Sequence, residues 1–344
     1  MSDLAVIVVS WNTRELLLSC LETLERVLAE GEPLAAEICV VDNGSRDGSA
    51  DAVRERFPTV CLIELAENRG YAAGNNAALA RVGGDSILLL NTDVRITRAA
   101  LDRCLAALRD DPAVGAAGPE LQHPDGRPQN TIHPFPGLAT ELVPARLREA
   151  LLPARFPSKR RRYEQPIDVE ALRGAALFVR RAAVDAIGPL CEDYFFFLEE
   201  TDWCWRLRRG GWRVRLVPGA PVVHLLGASS KRRHPAATRI EYHRSLYRFL
   251  REHRGHAVAL AVAVLRAARL LGSVLLLAAP AAASAPARAR LVERFQVLLW
   301  HLRGCPAGAG LAALDGGPRT REASPAPEAG KQEARANASA KGCA

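Results

Sequence analysis

The stretch SILLLNTDVRI, Ser86–Ile96, sets a short apolar run directly against three polar residues. Its first part, Ile87–Leu90, is typical of a buried strand, and this strand stops at Asn91-Thr92-Asp93. Asn and Asp favour turns because their side chains hydrogen-bond the local backbone. Taken alone, the stretch therefore predicts a strand that ends in a turn, and the rest of the chain must explain why a carboxylate stands there.

The first third of the chain alternates strand-like runs with helix-like patterns. Strands are predicted at residues 4–10, 37–43, 60–65 and 86–91, and helices at 14–29, 48–56 and 72–82. This alternation is typical of βαβ units, which build a Rossmann-like, mainly parallel sheet with helices on both faces. Ligands of such sheets bind beyond the carboxyl ends of the strands, where Asp42 and Asp93 fall. A dinucleotide-binding dehydrogenase is excluded, because Ser10-Trp11-Asn12-Thr13 follows the first strand where a glycine-rich turn would be required.

The composition is that of a globular protein, with 344 residues of which 49% are hydrophobic. Eight cysteines are scattered without a CxxC pair, and the chain enters its first strand at Leu4 without a charged and apolar leader. These features predict reduced thiols and a cytoplasmic location.

The formal charge of +8 is unevenly distributed. Residues 1–225 contain 27 Lys and Arg against 31 Asp and Glu, whereas residues 226–304 contain 14 against 3. The basic excess therefore belongs to the C-terminal part, which could meet nucleic acid, an anionic membrane or phosphorylated substrates.

After about Ala99 the sequence predicts a helix and then a Pro-rich irregular stretch, residues 112–166, whose basic run at 159–162 is interpreted as a solvated loop. A strand, a helix over 200–209 and final strands ending at His224 follow.

Three further helices are predicted at 240–251, 257–283 and 291–302. The middle one is strongly apolar, but Arg266 and Arg269 share one face near its centre, and neither apolar half reaches the ~20 residues of a spanning helix. An interfacial amphipathic helix is therefore predicted, and packing on the globular core remains the alternative.

The predicted organisation has three parts. They are an α/β domain over 1–228, a helical, membrane-associating region over 229–304 and a disordered tail over 305–344.

Four acidic or imidazole features can meet at the carboxyl edge of this sheet: Asp42, Asp93, the cluster Glu199–Asp202 and His224. Each also has a structural explanation. Asp42 suits a turn, the acidic cluster suits a helix N-terminus, and a lone His after an apolar strand is often a core residue.

Seven segments, in order and spacing, resemble glycosyltransferase family 2 and, within it, the bacterial rhamnosyltransferase-like enzymes. They cover about two thirds of the chain: VIVVSWNT (6–13), VVDNGSRDGS (40–49), ENRGYAAGNNAAL (67–79), LLLNTDV (88–94), LRGAALFVRRAAVDAIG (172–188), FFFLEETDWCWRLRRGGW (195–212) and VVHLLGASS (222–230). The resemblance implies a GT-A fold, a nucleotide-diphosphate sugar donor, a divalent metal and inversion at the anomeric carbon.

The resemblance also assigns donor and metal residues. The DxD-like motif falls on Asn91-Thr92-Asp93, which implies that Asp93 binds Mg²⁺ or Mn²⁺. Asn91 departs from a full DxD motif and is implied as a neutral ligand or a ribose contact, and His224 matches a second metal or diphosphate contact. Further donor contacts are implied for Ser10, Asn12, Asp42, Asn68, Arg69 and Asn75.

The catalytic base is implied at Glu200, which stands where the family's ED motif has its Asp. A base there would deprotonate the acceptor hydroxyl. Glu199 and Asp202 remain alternatives, because neither geometry nor pKa can be deduced from sequence. Trp203 and Arg206 follow on the same helix and are predicted to contact the acceptor.

The predicted reaction moves a sugar, with rhamnose favoured, to a lipid-linked or cell-surface glycan acceptor at an anionic membrane, on the cytoplasmic face. A nucleotidyltransferase is the alternative enzyme, since it shares acids at strand ends but attacks phosphorus. A nucleic-acid-binding protein is the non-enzymatic alternative. No nucleic-acid partner is predicted, because the chain lacks interleaved aromatic and basic reading motifs over its acidic N-terminal part.

Overall fold

A computed structural model describes residues 3–32, 34–158, 161, 163–225 and 234–314. The strands are β1 Leu4–Ser10, β2 Ala36–Asp42, β3 Cys61–Glu64, β4 Ser86–Asn91, β5 Val94–Arg95, β6 Val114–Gln122, β7 Ile132–His133, β8 Ile167–Asp168, β9 Ala171–Leu172, β10 Ala176–Arg180 and β11 Arg213–His224. The helices are α1 Arg14–Ala29, α2 Ser49–Arg56, α3 Tyr71–Leu79, α4 Arg98–Asp110, α5 Leu138–Leu142, α6 Ala145–Leu151, α7 Arg181–Ile187, α8 Glu199–Arg209, α9 Pro235–Arg254, α10 His256–Ala283, α11 Ala285–Leu302 and α12 Leu311–Leu314.

The central sheet has the strand order β3-β2-β1-β4-β10-β6-β11-β5, with β8 beside β11. Strands β3, β2, β1 and β4 run parallel, β10 is antiparallel to both its neighbours, and β6 and β11 are parallel to each other. The carboxyl ends of β1, β2, β4, β6 and β11 consequently share one edge of the sheet. The predicted mixed α/β fold with a mainly parallel sheet is confirmed.

The strands are buried on both faces, which explains their nearly continuous apolar sequence. In β1, Leu4, Val6 and Val8 pack into one core under α1, whereas Ala5 and Ile7 pack into a second core on the opposite face. Helix α3 lies so close to this second face that a Cβ atom on Gly74 would come 2.8 Å from a methyl group of Val9. A glycine at this position lets the helix bring its N-terminus to the carboxyl edge.

The three long C-terminal helices pack side by side. Helix α9 buries one face against the α/β domain, and α10 packs against both α9 and α11. A single residue, Gly255, separates α9 from α10, and Ser284 separates α10 from α11. Within the described residues, α10 is the helix whose length and mean hydropathy of 2.0 would allow it to cross a membrane.

The first part of the predicted disordered tail is folded. Glu241 of α9 accepts hydrogen bonds from the N–H groups of Leu311 and Ala312, and Arg244 donates to the carbonyl of Ala307 at 3.1 Å. Residues 305–314 therefore pack on α9, which corrects the predicted start of the tail. Residues 315–344, residues 226–230 of the VVHLLGASS segment and most of the basic run at 159–162 lie outside the described residues.

Candidate active site

The nucleotide side of the candidate site is formed where β1 and β2 end. Ser10 lies opposite Asp42 in the register of the two strands, and both side chains are buried. One oxygen of Asp42, Oδ2, accepts the N–H of Ser45 at 3.0 Å. The other, Oδ1, is buried with no hydrogen-bond partner among the described residues. A buried carboxylate oxygen without a partner is costly, so this atom is available for a ligand donor such as a base N–H.

Asn43, the next residue, organises the neighbouring loop. Its Nδ2 donates to Oδ1 of Asn68 and to the carbonyl of Gly70, both at 3.0 Å, and its Oδ1 accepts the N–H of Arg69 at 3.0 Å. The predicted residues Asn68 and Arg69 are thus brought to the edge through Asn43. Asn43 is not among the predicted site residues, although it lies inside the VVDNGS segment.

Asn12 and Asn75 have different roles. Asn12 adopts a left-handed backbone, which Asn tolerates, and its Oδ1 accepts the N–H of Arg46 at 2.8 Å, so it joins the loops after β1 and β2. Asn75 is fully buried in α3 and its Nδ2 donates to the carbonyl of Tyr71 at 2.8 Å. A donor cannot touch Asn75 directly in this structure, and the residue instead braces Tyr71.

Asp93 and His224 meet at the carboxyl ends of β4 and β11. Oδ1 of Asp93 lies 3.3 Å from Nε2 of His224, and the imidazole is buried. Gln129 holds the other ring nitrogen, with its Oε1 3.0 Å from Nδ1. The Nε2 of Gln129 donates to the carbonyls of Gln122 and His224, at 3.2 and 2.5 Å, which leaves its Oε1 to accept a proton from Nδ1.

This pair fits a divalent cation. With the proton on Nδ1, the lone pair of Nε2 points toward a carboxylate oxygen, an arrangement that a cation between the two groups would make favourable. Two ligand atoms 3.3 Å apart match a metal bound to each at about 2.1 Å. Gln129 would act as the outer partner that orients a ligating His. It was missed because it lies in the Pro-rich stretch, where no sequence pattern marks it.

The acidic side of the site is set by an unusual helix start. Phe197 and Leu198, just before α8, both have left-handed backbone conformations, with φ of 72° and 66°. Such conformations cost about 1–3 kcal/mol each and persist where packing enforces them, often at functional sites. Here the carbonyl of Phe195, two residues before Phe197, accepts the N–H of Tyr71 at 2.9 Å, and a Cβ on Gly70 would collide with that carbonyl. The start of α3 and the start of α8 are therefore locked together.

Glu199 and Glu200 begin α8 as adjacent buried carboxylates. Burial, together with the charge of Glu200, raises the pKa of Glu199 well above its usual range. Burial also raises the pKa of Glu200, against the opposing effects of backbone N–H groups and of Arg173. The Oε2 atoms of both residues are buried without a hydrogen-bond partner among the described residues. Glu199 is only 4% exposed, whereas Glu200 is more accessible, so Glu200 is the better placed of the two to meet a substrate proton.

Tyr71 joins the two halves of the site. Burial raises the pKa of its hydroxyl, and the charges of Glu199, Glu200 and Asp93 raise it further. The hydroxyl also lies 3.3 Å from the carbonyl of Gly174, beside Glu200. Acidic residues of both the metal side and the base side thus act electrostatically on one phenol. Tyr71 is the main site residue that sequence reasoning missed, although it stands in the NRGYAAGNN segment.

Three predicted residues of α8 make structural contacts within the protein. Trp203 is 0% exposed and its Nε1 donates to the carbonyl of Gly188 at 3.0 Å, so the predicted acceptor contact of Trp203 is wrong. Asp202 is 2% exposed, with its oxygens bound by Arg206 at 2.8 Å and by His253 at 2.7 Å.

Arg206 also donates to the carbonyls of Ile187 and Pro189, and it therefore braces α8 and does not face an acceptor. Asp202, Glu252 and His253 are close enough to bind a cation together. However, protein groups already occupy them, because Glu252 accepts from Tyr194 and pairs with Arg248.

Comparison with known proteins identifies the family. The profile of glycosyl transferase family 2 matches residues 5–188, more than half of the chain, and the chain belongs to this family. It is 33% identical over 247 residues to the N-acetylglucosaminyl-diphospho-decaprenol L-rhamnosyltransferase of Mycobacterium tuberculosis, covering 66% of this chain and 79% of that protein. It is 22% identical over 232 residues to the dTDP-rhamnosyl transferase RfbF of Shigella flexneri, covering 67% and 71%.

Among solved structures, the mannosyltransferase PcManGT from Pyrobaculum calidifontis, in complex with GDP-Man and Mn²⁺, matches with a TM-score of 0.54 and 19% identity over 88% of this chain and 87% of that one. The predicted GT-A fold is thereby confirmed, and the protein is a rhamnosyltransferase-like glycosyltransferase.

Proposed function

We propose that the protein transfers a sugar, rhamnose in the first instance, from a nucleoside-diphosphate donor to a lipid-linked glycan acceptor, with inversion and with a divalent cation. The observation that carries this proposal is the pair of Asp93 and His224, whose Oδ1 and Nε2 atoms lie 3.3 Å apart at the sheet edge where Asp42 also ends its strand. The rhamnosyl relatives favour the donor sugar, and the decaprenol-linked acceptor named for one of them favours a lipid-linked acceptor here.

The donor would lie across the ends of β1, β2 and β4. The free oxygen of Asp42 is suited to a base N–H. The loop organised by Asn43 holds the backbone of Arg69 at the same edge, and the Arg69 guanidinium pairs with Glu192 at 3.2 Å. Asp93 and His224 would hold Mg²⁺ or Mn²⁺, with Asn91 beside them at the end of β4. Bound there, such a cation offsets the charge of the departing diphosphate.

Glu200 would act as the general base. Its carboxylate accepts the proton of the acceptor hydroxyl while the hydroxyl oxygen bonds to the anomeric carbon and the bond from that carbon to the diphosphate breaks. Attack from the face opposite the diphosphate inverts the configuration. A raised pKa makes Glu200 a stronger base than an exposed carboxylate, and Glu199, with its pKa raised further, would stay protonated and spare the site a second charge.

The acceptor would approach over an aromatic group that replaces the predicted contacts of Trp203 and Arg206. Phe197 packs edge-on against Tyr242 with ring centroids 5.8 Å apart, and Phe196 lies between Phe197 and Tyr71. These rings adjoin Glu200 through the start of α8. The reaction would take place at the cytoplasmic face of an anionic membrane, without a nucleic-acid partner, which suits the basic C-terminal region.

A donor screen tests the proposal. Purified protein is incubated with single nucleotide sugars, Mn²⁺ and a short lipid-linked acceptor, and the released nucleotide product is measured. We expect nucleoside diphosphate, highest with a rhamnose donor, and a product of inverted anomeric configuration by NMR. Asp93→Asn is the matched inactive control. Release of sugar 1-phosphate would instead indicate nucleotidyl transfer, and full turnover in EDTA would contradict the metal requirement.

A further inference from the structure

Helix α10 presents a long apolar face to solvent. Four of its apolar side chains fall within an arc of about 60° at the helical repeat of 3.6 residues. We call them the α10 face: Leu260 (67% exposed), Val264 (61%), Leu271 (49%) and Leu275 (67%). Soluble proteins rarely leave such a stripe uncovered, so this face needs a partner.

The two arginines of α10 point away from this face. Arg266 forms a bidentate pair with Glu141 of α5, at 2.7 and 3.1 Å, and both side chains are largely buried. Arg269 donates to the carbonyl of Glu141 at 2.9 Å. The charge of Arg266 is thus paired inside the protein, whereas Arg269 is 54% exposed on the side of α10 away from the α10 face. The α10 face itself carries no charge.

The neighbours of α10 rule out a crossing without unfolding. Helix α9 ends one residue before α10, and α11 begins one residue after it. Helices α9 and α11 also contact each other, since Tyr247 and His301 lie 2.7 Å apart and Arg239 pairs with Glu293 at 2.7 Å. Helix α9 is in turn tied to the α/β domain, because Ser245 donates to the carbonyl of Phe196 at 2.9 Å. A spanning α10 would have to break these contacts or carry the pair of Arg266 and Glu141 into hydrocarbon.

The charge around the face indicates what covers it. Residues 256–292 contain four arginines and no acidic residue. Arg288 and Arg290, just beyond α10, are exposed. An apolar stripe flanked by arginines complements anionic lipid head groups above hydrocarbon, whereas it would repel an identical face of a second copy.

We propose that the α10 face lies flat in the interface of an anionic bilayer and does not cross it. This deepens the membrane association of the proposed function. It also explains the position of the candidate site, because the guanidinium of Arg266 lies 5.5 Å from the ring of Tyr242, which contacts Phe197 just before Glu200. A lipid-linked acceptor leaving the bilayer beside α10 would reach the base over these two rings.

The test measures binding of the full chain to phosphatidylcholine vesicles with and without phosphatidylglycerol. The double variant L260Q/L275Q removes two leucines of equal exposure, and we expect its partition onto anionic vesicles to fall at least tenfold. Leu314→Gln, at 52% exposure on α12, is the matched control and should bind like wild type. Alkaline carbonate should release the wild-type protein from the vesicles.

Three outcomes would overturn the proposal. The first is unchanged vesicle binding of L260Q/L275Q, and the second is retention of the wild-type protein on the vesicles after carbonate treatment. The third is a wild-type protein that sediments as a dimer and does not bind vesicles, while L260Q/L275Q sediments as a monomer. The rate of sugar transfer to a water-soluble acceptor analogue should be equal in wild type and L260Q/L275Q. Absence of that transfer with intact vesicle binding would contradict the proposed function alone.

Discussion

Replacing Asp202 with Asn separates a structural carboxylate from a catalytic one. Asp202 is buried and its two oxygens contact Arg206 and His253, so the neutral amide loses one charge and one acceptor. Breaking a buried ion pair costs about 3–5 kcal/mol, and we reduce this to about 2–3 kcal/mol because Arg206 is 27% exposed and keeps its carbonyl partners. For a chain of 344 residues, the melting temperature should fall by about 3–5 °C.

Calorimetry and steady-state turnover well below the melting temperature check this prediction together. Asp51→Asn is the control, because Asp51 is 86% exposed in its pair with Arg54 and should cost less than about 0.5 kcal/mol. We expect Asp202→Asn to be less stable but close to wild type in turnover. A variant of unchanged stability and at least 100-fold lower turnover would refute the structural role and make Asp202 the base.

The metal pair and the second carboxylate give three further predictions. Asp93→Asn should abolish most turnover, and His224→Ala should abolish a smaller part of it, while circular dichroism shows both proteins to be folded. Equal activity of Asp93→Asn and wild type would contradict the metal site. Gln129→Leu should weaken Mn²⁺ binding by about 10–100-fold in calorimetry, since the imidazole loses its orienting partner, and unchanged affinity would argue against that role. The pKa of Glu199 is raised in the folded state above its ordinary 4.5, so the folded protein keeps a proton that the unfolded chain releases. The free energy of unfolding should therefore decline as the pH rises from about 4.5 toward the raised pKa. Glu199→Gln should flatten that decline in urea titrations over the same pH range, and an identical slope would contradict the assignment.

The sheet and its edge were predictable because they depend on local sequence. The strands carry continuous apolar runs that end in Asp42 and Asn91-Thr92-Asp93, and parallel pairing brings such ends together whatever the loops do. The helix predicted at 14–29 agrees with α1 because its apolar positions follow one face.

The parts that were not predictable depend on packing between distant segments. Trp203 looked available because aromatic residues suit sugars, but α8 turns that face toward the core. Gln129 and His224 are 95 positions apart, and no local pattern links them. Arg266 was expected to limit membrane insertion of α10. Only the pairing of Arg266 with Glu141, which is distant in sequence, shows that its charge is directed into the protein.

Kinetics of Glu200→Gln test the central claim most directly. The substitution keeps size and hydrogen bonding but removes basicity, so turnover should fall by roughly 10²–10⁴-fold while the dissociation constant of the donor stays nearly unchanged. Glu200→Asp should recover part of the rate, because it restores a carboxylate. Near-normal turnover of Glu200→Gln, measured beside an inactive but stable Asp202→Asn, would contradict the account.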